Sequence, residues 1–275
     1  MRGNIMMPGN TIKRLFSTCA LIFAFAGLPF EQAHANFDIG TIIDEAGQQR
    51  MLSQRIVKAY LMLAADINPV EAQKQLDSSI GKFEQNLSKL LTFAPNDKIR
   101  SELEKVENLW MQFRMTALST TSKKTATKFL QDGETLLRHS QGIVDKITEF
   151  SGVKDARIVA ISGRQRMLSQ RIAKYYIAYY YGLRTTQIIE SFNKAVQEYE
   201  TALKQLMKHK GNTNDIQAKL KKVNSQWTFS KVGIKNFPKE GELVPFIISV
   251  TTESMLVKMH EITRLYAKLL NKQMK

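Results

Sequence analysis

The chain has 275 residues, a formal net charge of +15, 43% hydrophobic residues and one cysteine. This is the composition of a globular protein, neither low-complexity nor fibrous. A lone cysteine excludes an internal disulfide framework and a thiolate metal cluster, and the basic balance points to anionic partners such as small anions, membrane surfaces or cell-wall polymers.

The first element reads as a targeting signal. Residues 1–35 open with Arg2, Lys13 and Arg14, continue through an apolar run from Leu15 to Phe30, and close on Ala33-His34-Ala35. That is the charge, apolar core and small-x-small ending of a secretory signal peptide, with cleavage after Ala35. The apolar run falls short of the roughly 20 residues a bilayer span needs. Cleavage implies a periplasmic protein beginning at Asn36, without Cys19 and with a charge of +13. Export makes nucleic acid the weakest of the anionic partners, and none is expected.

The remainder predicts helix nearly throughout. After residue 35 the prolines are Pro69, Pro95, Pro238 and Pro245, all between periodic segments. Apolar residues recur at spacings of three and four, as in Ile80, Phe83, Leu87, Leu90 and in Leu103, Val106, Trp110, Phe113. The predicted helices run over 38–66, 69–93, 97–120, 124–150, 153–183, 185–209, 213–233 and 246–273. Turn signals separate them at Asn68-Pro69, Ala94-Pro95, Lys210-Gly211-Asn212 and Asn236-Phe237-Pro238.

An internal repeat organises these helices. Residues 47–60, GQQRMLSQRIVKAY, and residues 163–176, GRQRMLSQRIAKYY, share eleven of fourteen positions at an offset of 116. Lys105-Val106 and Trp110 are echoed by Lys222-Val223 and Trp227. A weaker echo joins Glu134-Thr135-Leu136-Leu137 to Glu253-Ser254-Met255-Leu256. The preserved order implies duplication of a whole domain. The expected architecture is all-α, two tandem antiparallel four-helix bundles, with the signal peptide at 1–35, one bundle over 36–151 and the other over 152–275.

Core packing alone does not require the repeated segment, because a core constrains apolar pattern and volume more than polar identity. Yet Gly47/Gly163, Arg50/Arg166, Ser53/Ser169, Gln54/Gln170, Arg55/Arg171 and Lys58/Lys174 all match. A helical wheel puts Leu52, Ile56, Ala59 and Leu63 on one face and Gly47, Arg50, Gln54, Arg55 and Lys58 on the other. Three cations on one face need an anionic counterpart or water. A glycine in mid-helix costs about 1 kcal/mol against alanine, so Gly47 and Gly163 call for a close approach by another helix or a ligand.

The segments Ala46-Gly47-Gln48-Gln49-Arg50-Met51-Leu52-Ser53-Gln54-Arg55 and Ser162-Gly163-Arg164-Gln165-Arg166-Met167-Leu168-Ser169-Gln170-Arg171 resemble the P-box of nitrate/nitrite sensor kinases. They resemble more closely its counterpart in PilJ-type domains, the N-terminal domains of type IV pilus chemotaxis transducers. The resemblance implies a periplasmic sensor-like protein that binds a small oxyanion, nitrate or nitrite, and passes occupancy to a membrane sensor or chemoreceptor partner. It also implies an anion held between arginines at a helix pair. Carried over by position, the clamping arginine maps to Arg55 and Arg171, and the preceding motif arginine to Arg50 and Arg166, beside Gly47 and Gly163. The two repeats would then pair within one chain. The sequence departs from the nitrate-sensor pattern at Glu45 and Ile161, where those sensors usually carry a basic residue.

Nothing points to catalysis. His139, His209 and His260 are scattered, and no zinc-helix motif, phosphate loop, dinucleotide fingerprint or nucleophile elbow occurs. No metal, cofactor or catalytic residue is expected. A second reading is a non-catalytic adaptor whose repeated arginine face docks a protein or an anionic surface.

Overall fold

The structure, a computed structural model, describes residues 38–235, 237–239 and 244–273. The proposed signal peptide and its cleavage point at Ala35 lie outside these residues. Among the described residues the order is α1 (Ile39–Ala64), α2 (Pro69–Phe93), α3 (Asp97–Ala117), α4 (Lys123–Phe150), α5 (Ala156–Tyr180), α6 (Thr186–Met207), α7 (Asn214–Ile234) and α8 (Pro245–Gln273), with no strand. The protein is all-α, as the periodicity predicts, and the predicted helix limits hold to within three residues.

Local chemistry sets these limits. Asn96, Ser122, Thr185 and Thr213 each accept a hydrogen bond from the backbone N–H three residues on, so side-chain caps open α3, α4, α6 and α7. Pro69 occupies the first turn of α2, where its missing N–H costs nothing. α1 stops because Asp66 and Asn68 take left-handed backbone angles, φ 55° and 44°, which asparagine and aspartate tolerate better than most residues. α4 gives way at Gly152, φ 62°.

Within each half, neighbouring helices are antiparallel. α1 packs on α2 and α4, and α3 on α4. α5 packs on α6 and α8, and α7 on α8. Equivalent aromatic pairs knit the two halves: Phe83 stacks on Trp110 at 4.0 Å, and Tyr199 lies 4.6 Å from Trp227. Both tryptophans are buried, and each donates its indole N–H to a glutamate on the preceding helix, Glu84 or Glu200, at 3.3 Å.

The most extensive helix contact is between the halves, α1 against α5. These two helices run parallel, because Gly47 faces Gly163 near one end and Lys174 donates to Gln54 further along. One continuous apolar cluster runs through both halves. α1 and α5 are therefore surrounded: Arg50, Gln54 and Lys58 are as buried as Leu52 and Ile56. The wheel's polar face is an interior face turned toward the other half. The halves are related by an approximate twofold along α1 and α5, but α8 packs on α1 more extensively than α4 packs on α5.

Candidate functional site

The repeated segment builds three polar layers along the α1–α5 pair. The first is a notch. A Cβ on Gly47 would lie 3.2 Å from an Arg166 Nη and 3.3 Å from an Arg50 Nη. One on Gly163 would meet the same two groups at 3.1 and 3.3 Å. A side chain at either position would press on the guanidinium tips, and the two guanidiniums, one from each half, share the space the glycines leave. Arg50 donates to Gln141 Oε1 at 2.6 Å and to the Ala160 carbonyl at 3.0 Å. Arg166 donates to the Asp44 carbonyl at 3.2 Å and contacts His260 Nδ1 at 3.0 Å. These are equivalent reaches across the approximate twofold.

The charges are not equivalent. Arg166 forms an ion pair of 2.7 Å with the Asp44 carboxylate. Position 160, the counterpart of Asp44, is alanine, so Arg50 meets a neutral amide and a carbonyl. The closest acid behind that amide is Asp145, which accepts from Gln141 at 2.7 Å. Both arginines are essentially excluded from solvent, 1% and 0% exposed. Burial, and then the Arg166 guanidinium beside it, bring the Arg50 pKa down to about 9. Arg50 is still a cation at neutral pH, held against its solvation preference. The Nε atoms of both arginines are buried without a hydrogen-bond partner among the described residues.

The second layer is neutral lacing. Gln49 donates to the Phe83 carbonyl at 3.2 Å and Gln165 to the Tyr199 carbonyl at 2.9 Å. Gln54 donates to the Gly133 carbonyl and Gln170 to the Thr252 carbonyl. Ser53 and Ser169 each bond back to the motif arginine's own carbonyl at 2.8 Å. The amide nitrogens are thus partnered, while Gln49, Gln165 and Gln170 keep a buried Oε1 without a hydrogen-bond partner among the described residues; a substitution that orphans a further buried group costs about 1–3 kcal/mol. This accounts for several of the repeated polar identities without a ligand.

The third layer is a crossed pair of ionic braces. Arg55 and Lys58 of α1 grip Glu253 of α8, at 2.5 and 2.9 Å. Arg171 and Lys174 of α5 grip Glu134 of α4, at 2.6 and 2.5 Å. Each brace joins one half's cations to the other half's carboxylate. Burial raises the pKa of these glutamates, but the lysine and arginine more than offset it and hold both at about 2. Lys58 is pushed down by burial and rescued only in part by Glu253.

The structure therefore brings Gly47, Gly163, Arg50 and Arg166 together and places Arg55 and Arg171 elsewhere. Where the resemblance implies an anion between Arg55 and Arg171, each has a protein carboxylate of its own. Glu134 and Glu253 are the residues that reading the motif alone misses. Their signal is the weak echo of Glu134-Thr135-Leu136-Leu137 in Glu253-Ser254-Met255-Leu256.

Residues 39–133 and 149–239 match PilJ, the N-terminal domain of type IV pili methyl-accepting chemotaxis transducers. The chain belongs to this family. PilJ domains are sensory parts of signal transducers, not catalytic ones. The two matched stretches start at α1 and just before α5, and neither reaches Glu134 or Glu253, so both braces draw their carboxylates from outside the PilJ matches. No curated protein and no solved structure matches the chain. No helix among the described residues is long and apolar enough to cross a membrane.

Proposed function

We propose that the chain is a periplasmic sensor-like protein that binds a small oxyanion, nitrate or nitrite, between Arg50 and Arg166 and passes occupancy to a membrane sensor or chemoreceptor partner. In this reading residues 1–35 are an export signal, and residues 36–151 and 152–275 are the two repeats that pair as a dimer would. The observation that carries it is the charge count at the notch: two buried guanidiniums from different halves, one paired carboxylate, and two Nε donors without partners. A monoanion would close that count, and the planar fork of guanidinium suits a planar oxyanion.

The burial of Arg50 and Arg166, and the braces that occupy Arg55 and Arg171, favour a small ion over the adaptor reading. A docking partner would find little arginine surface to grip.

Calorimetric titration with nitrate, nitrite and chloride at equal ionic strength tests the proposal. The expected result is saturable oxyanion binding at one per chain, distinguished from chloride. It should weaken at least about tenfold in Arg50→Lys, which keeps a charge but loses the fork, and disappear in Gly47→Ala, whose methyl takes up the notch. Absence of heat and of thermal shift with both oxyanions overturns it.

A further inference from the structure

A second feature adjoins the arginine notch, with Asp44 and His260 on the wall between them. An open cleft of about 550 Å³ runs between α1, α2 and α8, across the boundary between the halves. Its volume falls in the range of small-molecule sites, roughly 300–1,000 Å³. Two acids on its wall are already spent: Asp44 on Arg166 at 2.7 Å and Glu45 on Lys89 at 2.8 Å. Asp38 is the acid that remains. Facing it, Arg264, Lys268 and Lys272 of α8 form no ion pair among the described residues, and Lys82 of α2 donates only to the neutral Gln85.

The α8 cations are ordered. His260, Arg264, Lys268 and Lys272 recur every four residues, which places them on one stripe with about 6 Å of rise between neighbours. Like charges so arranged repel unless an anion spans them. Burial, and then Arg166, push the His260 pKa down, so the inner end of the stripe is a neutral imidazole and the charge concentrates on the three outer residues.

The other half carries a different charge pattern. At an offset of 119, set by Glu134 and Glu253, the α8 stripe corresponds to Gln141, Asp145 and Glu149 of α4 and to Val153 in the linker beyond it. At an offset of 116, Gln48 and Lys82 correspond to Arg164 and Glu198, which form a salt bridge of 3.0 Å. There the protein supplies both signs. In the first half Gln48 and Lys82 do not pair with each other, and the cleft keeps its positive excess.

We infer that the α1–α2–α8 cleft is a second binding site, for a small organic or inorganic polyanion gripped by Arg264, Lys268 and Lys272. The occupant has two or three carboxylates or phosphates. It touches α1 and α2 of one half and α8 of the other, so its binding bears on the same helices that carry the notch. The site does not depend on the oxyanion reading, because none of its gripping residues contacts Arg50.

Titration of the full chain with citrate and with tripolyphosphate, in about 0.15 M salt to screen loose surface attraction, tests this. The expected result is saturable binding at one per chain with at least one of the two probes. It should be about tenfold weaker in Lys268→Gln/Lys272→Gln and unchanged in Lys221→Gln/Lys222→Gln, which removes the same charge from exposed positions on α7. Preference for citrate assigns the site to carboxylates, and preference for tripolyphosphate to phosphates. Equal weakening in the two double variants means diffuse electrostatics and overturns the site, as does absence of saturable binding with both probes. Nitrate binding should be the same in wild type and Lys268→Gln/Lys272→Gln, which separates this result from the fate of the notch.

Discussion

The notch and the braces are built from the same repeated segment, on the same two helices, yet they share out their carboxylates differently. At the braces, four cations meet two carboxylates whose side chains are partly open to water, and each carboxylate takes two donors. At the notch, two guanidiniums that are almost wholly excluded from solvent share one paired carboxylate. Burying a charge is tolerable only with a partner and hydrogen bonds. At the braces every cation has a carboxylate within the protein; at the notch Arg166 has one, and Arg50 has a neutral amide and a carbonyl. The repetition of an arginine is thus no guide to its surroundings: Arg55 and Arg171 reach carboxylates of the opposite half, while Arg50 meets a neutral amide and a carbonyl.

The largest expected effect lies in the braces. Glu134→Gln or Glu253→Gln leaves a buried lysine and an arginine without their carboxylate. Each should destabilise the protein by about 3 kcal/mol or more, read as a lower midpoint in urea unfolding. The double variant should lose more than either single one, since each brace ties the halves independently. If both single variants unfold at the wild-type midpoint, the braces are ornamental and the contrast with the notch collapses.

A smaller effect follows with pH. The folded-state pKa of both glutamates is depressed to about 2 from an ordinary 4.5. A depressed carboxylate contributes stability that is complete above its unfolded value and is lost as pH falls through the folded one. The advantage of wild type over Glu134→Gln/Glu253→Gln should therefore be full at pH 5 and above, shrink between about 4.5 and 2, and vanish at the acid end. Unfolding midpoints of the two proteins across that window check it. A constant gap would mean that the loss in the variant is not electrostatic.

Much of this was legible in the sequence. The helices could be placed from apolar spacing, prolines and caps, because those signals are local. The duplication could be read from the repeated segment, and a close approach at its glycines from their place in mid-helix, but not whether the repeats pair within one chain or between chains. The division of labour among the arginines could not. Arg50 and Arg55 sit five residues apart on one helical face, and the wheel treats them alike. What separates them is the other half of the molecule: Glu253 arrives 198 residues away to take Arg55, and Asp44 takes Arg166 while Ala160 leaves Arg50 without an equivalent. Those pairings depend on how α8 and α4 cross the central helices, which no local periodicity records. For the same reason the wheel's polar face passes for a surface, although Arg50, Gln54, Lys58 and their counterparts are buried.

The smallest change in stability should come from the variant that most sharpens the comparison, Ala160→Asp. Position 160 corresponds to Asp44, and its carbonyl already accepts from Arg50 as the Asp44 carbonyl accepts from Arg166. A carboxylate there can reach the Arg50 guanidinium as Asp44 reaches that of Arg166, which would complete the twofold and give each notch arginine a carboxylate of its own. Because the residue is half-buried and the new pair offsets its own desolvation, stability should move by no more than about 1 kcal/mol. The oxyanion response should nevertheless be abolished, since the added carboxylate occupies the charge an oxyanion would satisfy. Asp44→Asn should act in the opposite sense and strengthen that response by removing the one competing carboxylate. If Ala160→Asp binds nitrate as wild type does, the uncompensated charge on Arg50 is not what recruits the anion, and the notch belongs with the braces as a device for holding two halves together.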